Sequence, residues 1–176
     1  MEIYLIRHTT PAIDKGICYG QTDLDLTNSF TIEAKKVLSQ LPLTESFALY
    51  TSPLKRCKKL AKKIKSDAIT DARLMELNFG KWENKKWDEI AKEELNPWMQ
   101  DFVNVKVPNG ESYIDLSKRV HAFFDDLSVL SHNKVFIVTH AGPMRAFLAS
   151  IQNIPLKNSF SIKINYGDII TIQLPN

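Results

Sequence analysis

Among the 176 residues only two are cysteines, Cys18 and Cys57. Two thiols make no disulfide framework, and the simple expectation is a reduced intracellular compartment. No apolar run approaches the ~18 residues of a membrane span. No early segment combines a charged start, an apolar stretch and a small-residue cleavage site. These absences predict a soluble, cytoplasmic protein with no membrane partner. Charge of one sign is also scarce: the net charge of +3 is too small to argue for nucleic acid. The lysines from Lys55 to Lys65 make one helix locally basic, most simply a solvated face, although its field would favour an anionic substrate. The histidines, His8, His121, His132 and His140, have no close His/Cys spacing, so no metal site is expected. Phe79-Gly80-Lys81 lacks the preceding glycine-rich loop of a nucleotide site. No repeat, low-complexity tract or linker divides the chain, and residues 1–176 are expected to form one domain with a sizeable core.

What is present is an ordinary globular balance, 44% hydrophobic and 24% charged, arranged as strands alternating with helices. Ile3 to Ile6 is a short β-prone run of the kind buried on both faces, followed at once by Arg7 and His8. Ile13 to Asp25 reads as a long loop. A helix is expected from Leu26-Thr27, with Phe30, Ala34, Val37, Leu38 and Leu41 on one face. Phe47 to Thr51 reads as a second strand. Ser52-Pro53 reads as the cap and first residue of a helix that buries Leu54, Cys57, Leu60, Ala61 and Ile64. Ala68 to Thr70 reads as a short strand, and Ala72 to Glu83 as a loop. Helices are expected over Lys86 to Glu94 and Pro97 to Phe102. Ser112 and Asp115 form a weak capping box for a long helix carrying Leu116, Val120, Phe123, Phe124, Leu127 and Leu130. Lys134 to Thr139 is the strongest buried-strand signal, ending in His140 before another helix. Phe160 to Ile164 and Asp168 to Leu174 alternate like strands, with Tyr166-Gly167 as the turn of an antiparallel pair. The expected class is α/β, a sheet covered on both faces.

Ligands of an open α/β sheet bind beyond the carboxyl ends of its strands. Four elements place polar groups there: Arg7-His8, Arg56, Glu76 and His140. Taken singly, Arg56 reads as a solvated helix residue, His140 as a satisfied strand-end histidine and Glu76 as a loop salt bridge. Together, two arginines and two histidines suit a compact dianion, because guanidinium groups bind phosphate oxygens bidentately. Helix starts near Ser52 and Ala141 add free N–H groups. At ~4 Å and an effective dielectric of ~20, each charge pair is worth roughly 4 kcal/mol before desolvation. No Ser or Cys stands out with an orienting base, whereas a neutral imidazole is itself a nucleophile. His8 suits that role, since neighbouring cations favour the neutral ring. Glu76 lies among apolar residues, which raise a carboxyl pKa and suit a general acid. Tyr19, Trp82, Trp87, Trp98 and Phe102 offer flat apolar walls for an aromatic leaving group, with core and lid packing as the alternative. Gln21 is a candidate donor to the phosphate or the sugar.

LIRHTT, TSPLKRCKKLA, LMELNFGKWE and VTHAGPMR, in that order, resemble the motifs of the histidine phosphatase (phosphoglycerate mutase-like) superfamily. The resemblance spans Leu5 to Arg145. It implies a three-layer αβα sandwich with a mostly parallel sheet and an antiparallel edge. It implies His8 as phosphohistidine nucleophile, Arg7, Arg56 and His140 as phosphate ligands, Glu76 as proton donor, and a reaction on a small phosphorylated metabolite with no metal or other cofactor. Within the superfamily KGICYGQTDLDL, NFGKWENKKWDEI and DFVNVKVPNGESYIDLSKRV look most like α-ribazole phosphatases of the cobalamin pathway. Three positions depart from the pattern. Thr9 stands where the signature has Gly, Asp14 where many members have a phosphate-contacting Asn, and Asn84 where Gly often follows Trp-Glu. A carboxylate would repel phosphate, so Asp14 is expected to point away. The implied activity is a phosphomonoesterase, best matched to α-ribazole 5′-phosphate. A broad sugar or metabolite phosphatase, a phosphoglycerate mutase and an inactive phospholigand-binding module are the other readings.

Overall fold

The computed structural model describes residues 1–43 and 46–174. The two apolar runs with the clearest strand signal form the middle of the sheet. These are β1 (Glu2–Arg7) and β4 (Lys134–Thr139), paired in parallel with Arg7 opposite Thr139. Outward from β4 lie β2 (Ala48–Thr51) and then β3 (Ile69–Thr70), both parallel. On the other side of β1 lies β5 (Ile169–Gln173), antiparallel, which gives a five-stranded sheet in the order β3-β2-β4-β1-β5.

Side chains alternate across a strand, and here the alternation sorts the core into two halves. Ile3, Leu5, Val135 and Ile137 pack with Leu116, Val120, Phe123 and Leu148, under helices α4 (Tyr113–Ser128) and α5 (Ala141–Ile151). Ile6, Phe136 and Val138 pack with Ala34, Val37, Cys57 and Leu60, under helices α1 (Phe30–Leu38) and α2 (Lys55–Ile64). Helices on both faces make a three-layer α/β sandwich, as the sequence resemblance implies. No helix among the described residues is long and apolar enough to cross a membrane.

Several elements differ from the sequence pattern, each for a tertiary reason. The helix expected from Leu26-Thr27 begins at Phe30, because Ser29 hydrogen-bonds Thr27 and Glu33 in the preceding turn. The Ser52-Pro53 helix begins at Lys55, with Leu54 N–H donating to Ser52 Oγ in a turn before it. No helix runs over Lys86 to Glu94. A single 3₁₀ turn (Trp87–Glu89) stands there, and α3 (Lys92–Gln100) follows, running through Pro97 into the segment expected to be a second helix. Burial of Ile90 beside Trp82, Cys18 and Val107 breaks the run between them. Leu130 lies beyond the end of α4 and is exposed.

Phe160 to Ile164 is not a strand either. Leu156–Ser161 is a 3₁₀ turn. Beyond it, arginine side chains take the carbonyls: Arg145 Nε donates to Ile162 and Arg7 Nη1 to Ile164. The antiparallel edge therefore pairs β5 with β1. Asn84 adopts φ +66°, a left-handed conformation that explains how Asn serves where Gly is usual.

The capping box at α4 is present: Ser112 accepts from Asp115 N–H, and the Asp115 carboxylate accepts from Ser112 N–H. Ser112→Ala is expected to lower stability by about 1 kcal/mol. A urea midpoint equal to that of the unaltered protein would contradict the cap.

Candidate active site

The β1/β4 register decides which residues meet. His8 and His140 each follow one member of the Arg7–Thr139 pair, so both rings stand at the carboxyl edge of the sheet. Their centroids lie 5.0 Å apart, edge to face. His8 Nδ1 lies 2.7 Å from the Thr9 carbonyl. A carbonyl only accepts, so Nδ1 carries the proton and a neutral ring keeps its lone pair on Nε2. Burial pushes the His8 pKa well below its ordinary value, and the cations of Arg56 and Arg7 add to that, against the Thr9 carbonyl. His140 is pushed down in the same way, first by burial and then by Arg56.

A cavity of about 280 Å³ opens at this edge, and Arg7, His8, Tyr19, Glu76 and Ala141 line it. His8 is only 1% exposed and lies in its floor. Arg56, His140 and Gln21 are not part of the lining. Arg56 is no solvated helix residue: it is fully buried, donating from Nη2 to the Gly20 carbonyl (2.6 Å) and from Nη1 to that of Thr22 (2.8 Å). Gly20 has to be glycine, since a Cβ there would meet the Leu77 carbonyl oxygen at 1.8 Å. Arg7 donates to the Ile164 carbonyl at 2.7 Å and lies 3.9 Å over the Tyr166 ring. Among the described residues four buried side-chain polar atoms lack a hydrogen bond, and Arg7 Nε, Thr9 Oγ1 and Arg56 Nε are three of them. Arg7 shares the cavity lining with His8, so its cation is placed for an anion there.

His140 Nε2 lies 2.8 Å from Ser52 Oγ and 3.4 Å from Cys57 Sγ. An imidazole therefore does stand beside a serine and a cysteine, contrary to the sequence reading. Both lie fully buried behind it, outside the cavity, and burial pushes the Cys57 thiol up to about 12. Neither is placed to attack a ligand.

Glu76 differs from expectation in its surroundings. Its carboxylate is not held by apolar neighbours alone: Oε1 accepts from Leu77 N–H (2.9 Å) and Oε2 from Gly142 N–H (3.2 Å) at the start of α5. Gln21 does not face the anion site. Its Nε2 donates to the Glu76 carbonyl at 3.0 Å, and its backbone N–H to Glu83. Asp14 is exposed and absent from the cavity lining.

Tyr19 and Tyr166 are joined hydroxyl to hydroxyl at 2.6 Å, and Tyr166 lies 5.5 Å from the His8 ring. Tyr166 carried only a turn signal in the sequence, and nothing local could have paired it with Arg7. Trp87, Trp98 and Phe102 line the cavity, joined by Phe79, Tyr113 and Phe160, whereas Trp82 is core, with Nε1 donating to Glu94. Arg145, which ends the motif VTHAGPMR but drew no role from the sequence, lines the same cavity. No group of three or more metal-binding side chains occurs among the described residues.

This fold, with paired histidines and arginines at the carboxyl edge of the sheet, defines the phosphoglycerate mutase-like class of α/β proteins. The chain belongs to the histidine phosphatase superfamily (branch 1), whose model matches residues 3–176. It is 29% identical over 98% of its length, and 89% of the relative's, to "Putative phosphoserine phosphatase 2" of Hydrogenobacter thermophilus. It is 30% identical over 88% of its length, and 76% of the relative's, to "Probable phosphoglycerate mutase GpmB" of Yersinia pestis. The α-ribazole phosphatase of Shigella flexneri superimposes with a TM-score of 0.91 over 99% of this chain and 91% of that one, at 23% identity, a likeness of fold.

Two outcomes are expected. A Cβ on Gly142 would meet Glu76 Oε1 at 2.1 Å. Gly142→Ala therefore displaces a flexible carboxylate rather than backbone, and activity is expected to fall at least about tenfold with the fold intact. Wild-type turnover in that variant would detach Glu76 from the chemistry. The second concerns pH. Both buried rings resist protonation in the native state, while in the unfolded chain they titrate near 6.5. Below that pH the unfolded state binds more protons, so stability falls, by up to about 1.4 kcal/mol per ring and pH unit. Urea midpoints at pH 7.5 and 5.5 measure this, and His8→Asn should remove part of the slope.

Proposed function

We propose that this phosphatase hydrolyses phosphomonoesters through a phosphohistidine on His8, and that its substrate is α-ribazole 5′-phosphate. The observation that carries the reading is His8, its Nδ1 held 2.7 Å from the Thr9 carbonyl, lining a cavity that Glu76 lines too. In the first step Nε2 attacks phosphorus, the ester P–O bond breaks, and Glu76 gives its proton to the leaving oxygen. Arg7 and Ala141 N–H, both in the lining, stabilise the charge gathering on the phosphoryl oxygens, while Arg56, buried beneath the lining, adds the field of its cation and His140 packs against the His8 ring. Water then attacks the phosphohistidine, its proton passes to the Glu76 carboxylate, and phosphate is released. The scheme calls on this chain's own groups and water.

The leaving group is argued from the walls. Phe79, Trp87, Trp98, Phe102 and Phe160 line the same cavity as Glu76 with flat apolar surface, which suits a nucleoside-like aromatic alcohol. A second reading rests on Arg145 in the same wall, which would meet a carboxylate on an amino-acid or glycerate leaving group. The cysteines, the charge balance and the lack of a membrane-spanning helix among the described residues fit a cytoplasmic enzyme acting on a small metabolite.

A substrate panel tests both. The kcat/KM for α-ribazole 5′-phosphate is expected to exceed those for phosphoserine, 3-phosphoglycerate and sugar phosphates by at least about tenfold. Preference for phosphoserine would overturn the aromatic reading in favour of Arg145. Phosphate release without a bisphosphate primer excludes a mutase. Quenched turnover should trap an acid-labile phosphoenzyme that His8→Ala abolishes, and a label persisting in that variant defeats the mechanism. Glu76→Gln should slow alkyl phosphates far more than p-nitrophenyl phosphate, whose leaving group needs no proton.

A further inference from the structure

We infer that Arg119, seated by Glu111, is the positioning residue that sets Glu76 for proton transfer, an inference that rests on the proton-donor reading of Glu76. The segment from Met75 to Phe79 belongs to no helix or strand, so its backbone polar groups need other partners. Arg119, on α4, supplies them. Its guanidinium makes five hydrogen bonds, one for each N–H it has. Nη1 donates to the carbonyls of Arg73 and Met75, both at 2.7 Å, and Nη2 to that of Glu76 at 2.9 Å. The remaining two bonds, from Nε at 2.8 Å and Nη2 at 3.0 Å, grip the two oxygens of Glu111.

Glu111 extends the grip past Glu76. Its Oε2 accepts from Asn78 N–H at 3.0 Å, and its own N–H donates to the Asn78 carbonyl at 2.9 Å. Gln21 Nε2 binds the Glu76 carbonyl beside Arg119. The main chain is thus held before, at and after the residue whose side chain must reach the leaving oxygen. Neither Arg119 nor Glu111 lines the cavity, so neither acts on the substrate directly. Both side chains are about four-fifths covered (18% and 21% exposed), which shields the pair from solvent. Only a planar fork meets this set of acceptors; a lysine has three donors on one atom.

The variants are Arg119→Lys and, should that chain not fold, Glu111→Gln, with Glu76→Gln and the double variant Glu76→Gln/Arg119→Lys. Turnover is measured on an alkyl phosphate and on p-nitrophenyl phosphate, with amide exchange followed at Leu77 and Asn78. In Arg119→Lys, kcat on the alkyl ester is expected to fall at least about tenfold with KM nearly constant, since a shift of about 1 Å costs that much. The aryl ester should lose less than about threefold. Exchange at Leu77 and Asn78 should quicken while α4 keeps its protection. The double variant should be no slower on the alkyl ester than Glu76→Gln. Equal losses on the two esters, a further loss in the double variant, or unchanged exchange overturns the inference and leaves a merely structural cross-link. Indifference of Glu76→Gln to the leaving group would instead bring down the proton-donor reading, and this inference with it.

Discussion

The constraint on which the site depends is that an imidazole must stay uncharged between two guanidinium groups. Burial and the cations of Arg56 and Arg7 keep His8 neutral, and the Thr9 carbonyl decides which nitrogen carries the proton. A charged ring would have neither a lone pair nor a tolerable place among those arginines. The surrounding architecture serves this arrangement. Parallel pairing of β1 with β4 brings the second histidine alongside, and Ser52 turns that ring by its Nε2.

Arginines also do the work of secondary structure at this edge of the sheet. Arg7, Arg56, Arg119 and Arg145 each donate to main-chain carbonyls outside the sheet and the α-helices, at Ile164, at Gly20 and Thr22, at Arg73, Met75 and Glu76, and at Ile162. Charge-assisted bonds of this kind hold loops with a rigidity that helices and strands otherwise supply. They leave Arg7 Nε and Arg56 Nε without a hydrogen-bond partner.

Legibility followed the range of the interactions. β1 and β4 could be read because burial on both faces leaves continuous apolar runs, and α4 because its stripe and capping box are local. The segments from Lys86 to Gln100 and from Phe160 to Ile164 could not. Ile90 answers to Cys18, remote in the chain, and the carbonyls of Ile162 and Ile164 answer to arginines remote in sequence. Gln21 shows the same limit within the site: its type suggested a phosphate donor, but its place is on the Glu76 carbonyl. Arg119 lay within the stretch DFVNVKVPNGESYIDLSKRV but drew no role, since a charged residue on an amphipathic helix looks like any solvated one.

By itself the sequence determined the layers, the strand ends that carry Arg7-His8 and His140, and the family, because each is written in hydrophobic period or in short contiguous motifs. Tertiary structure alone decided that Arg56 is buried, that Glu76 is pinned by Gly142 and Leu77, that Tyr19 meets Tyr166, and which aromatics wall the cavity. Periodicity reports which way a side chain faces, whereas strand register and loop closure, set by groups far apart in the chain, choose what it meets there.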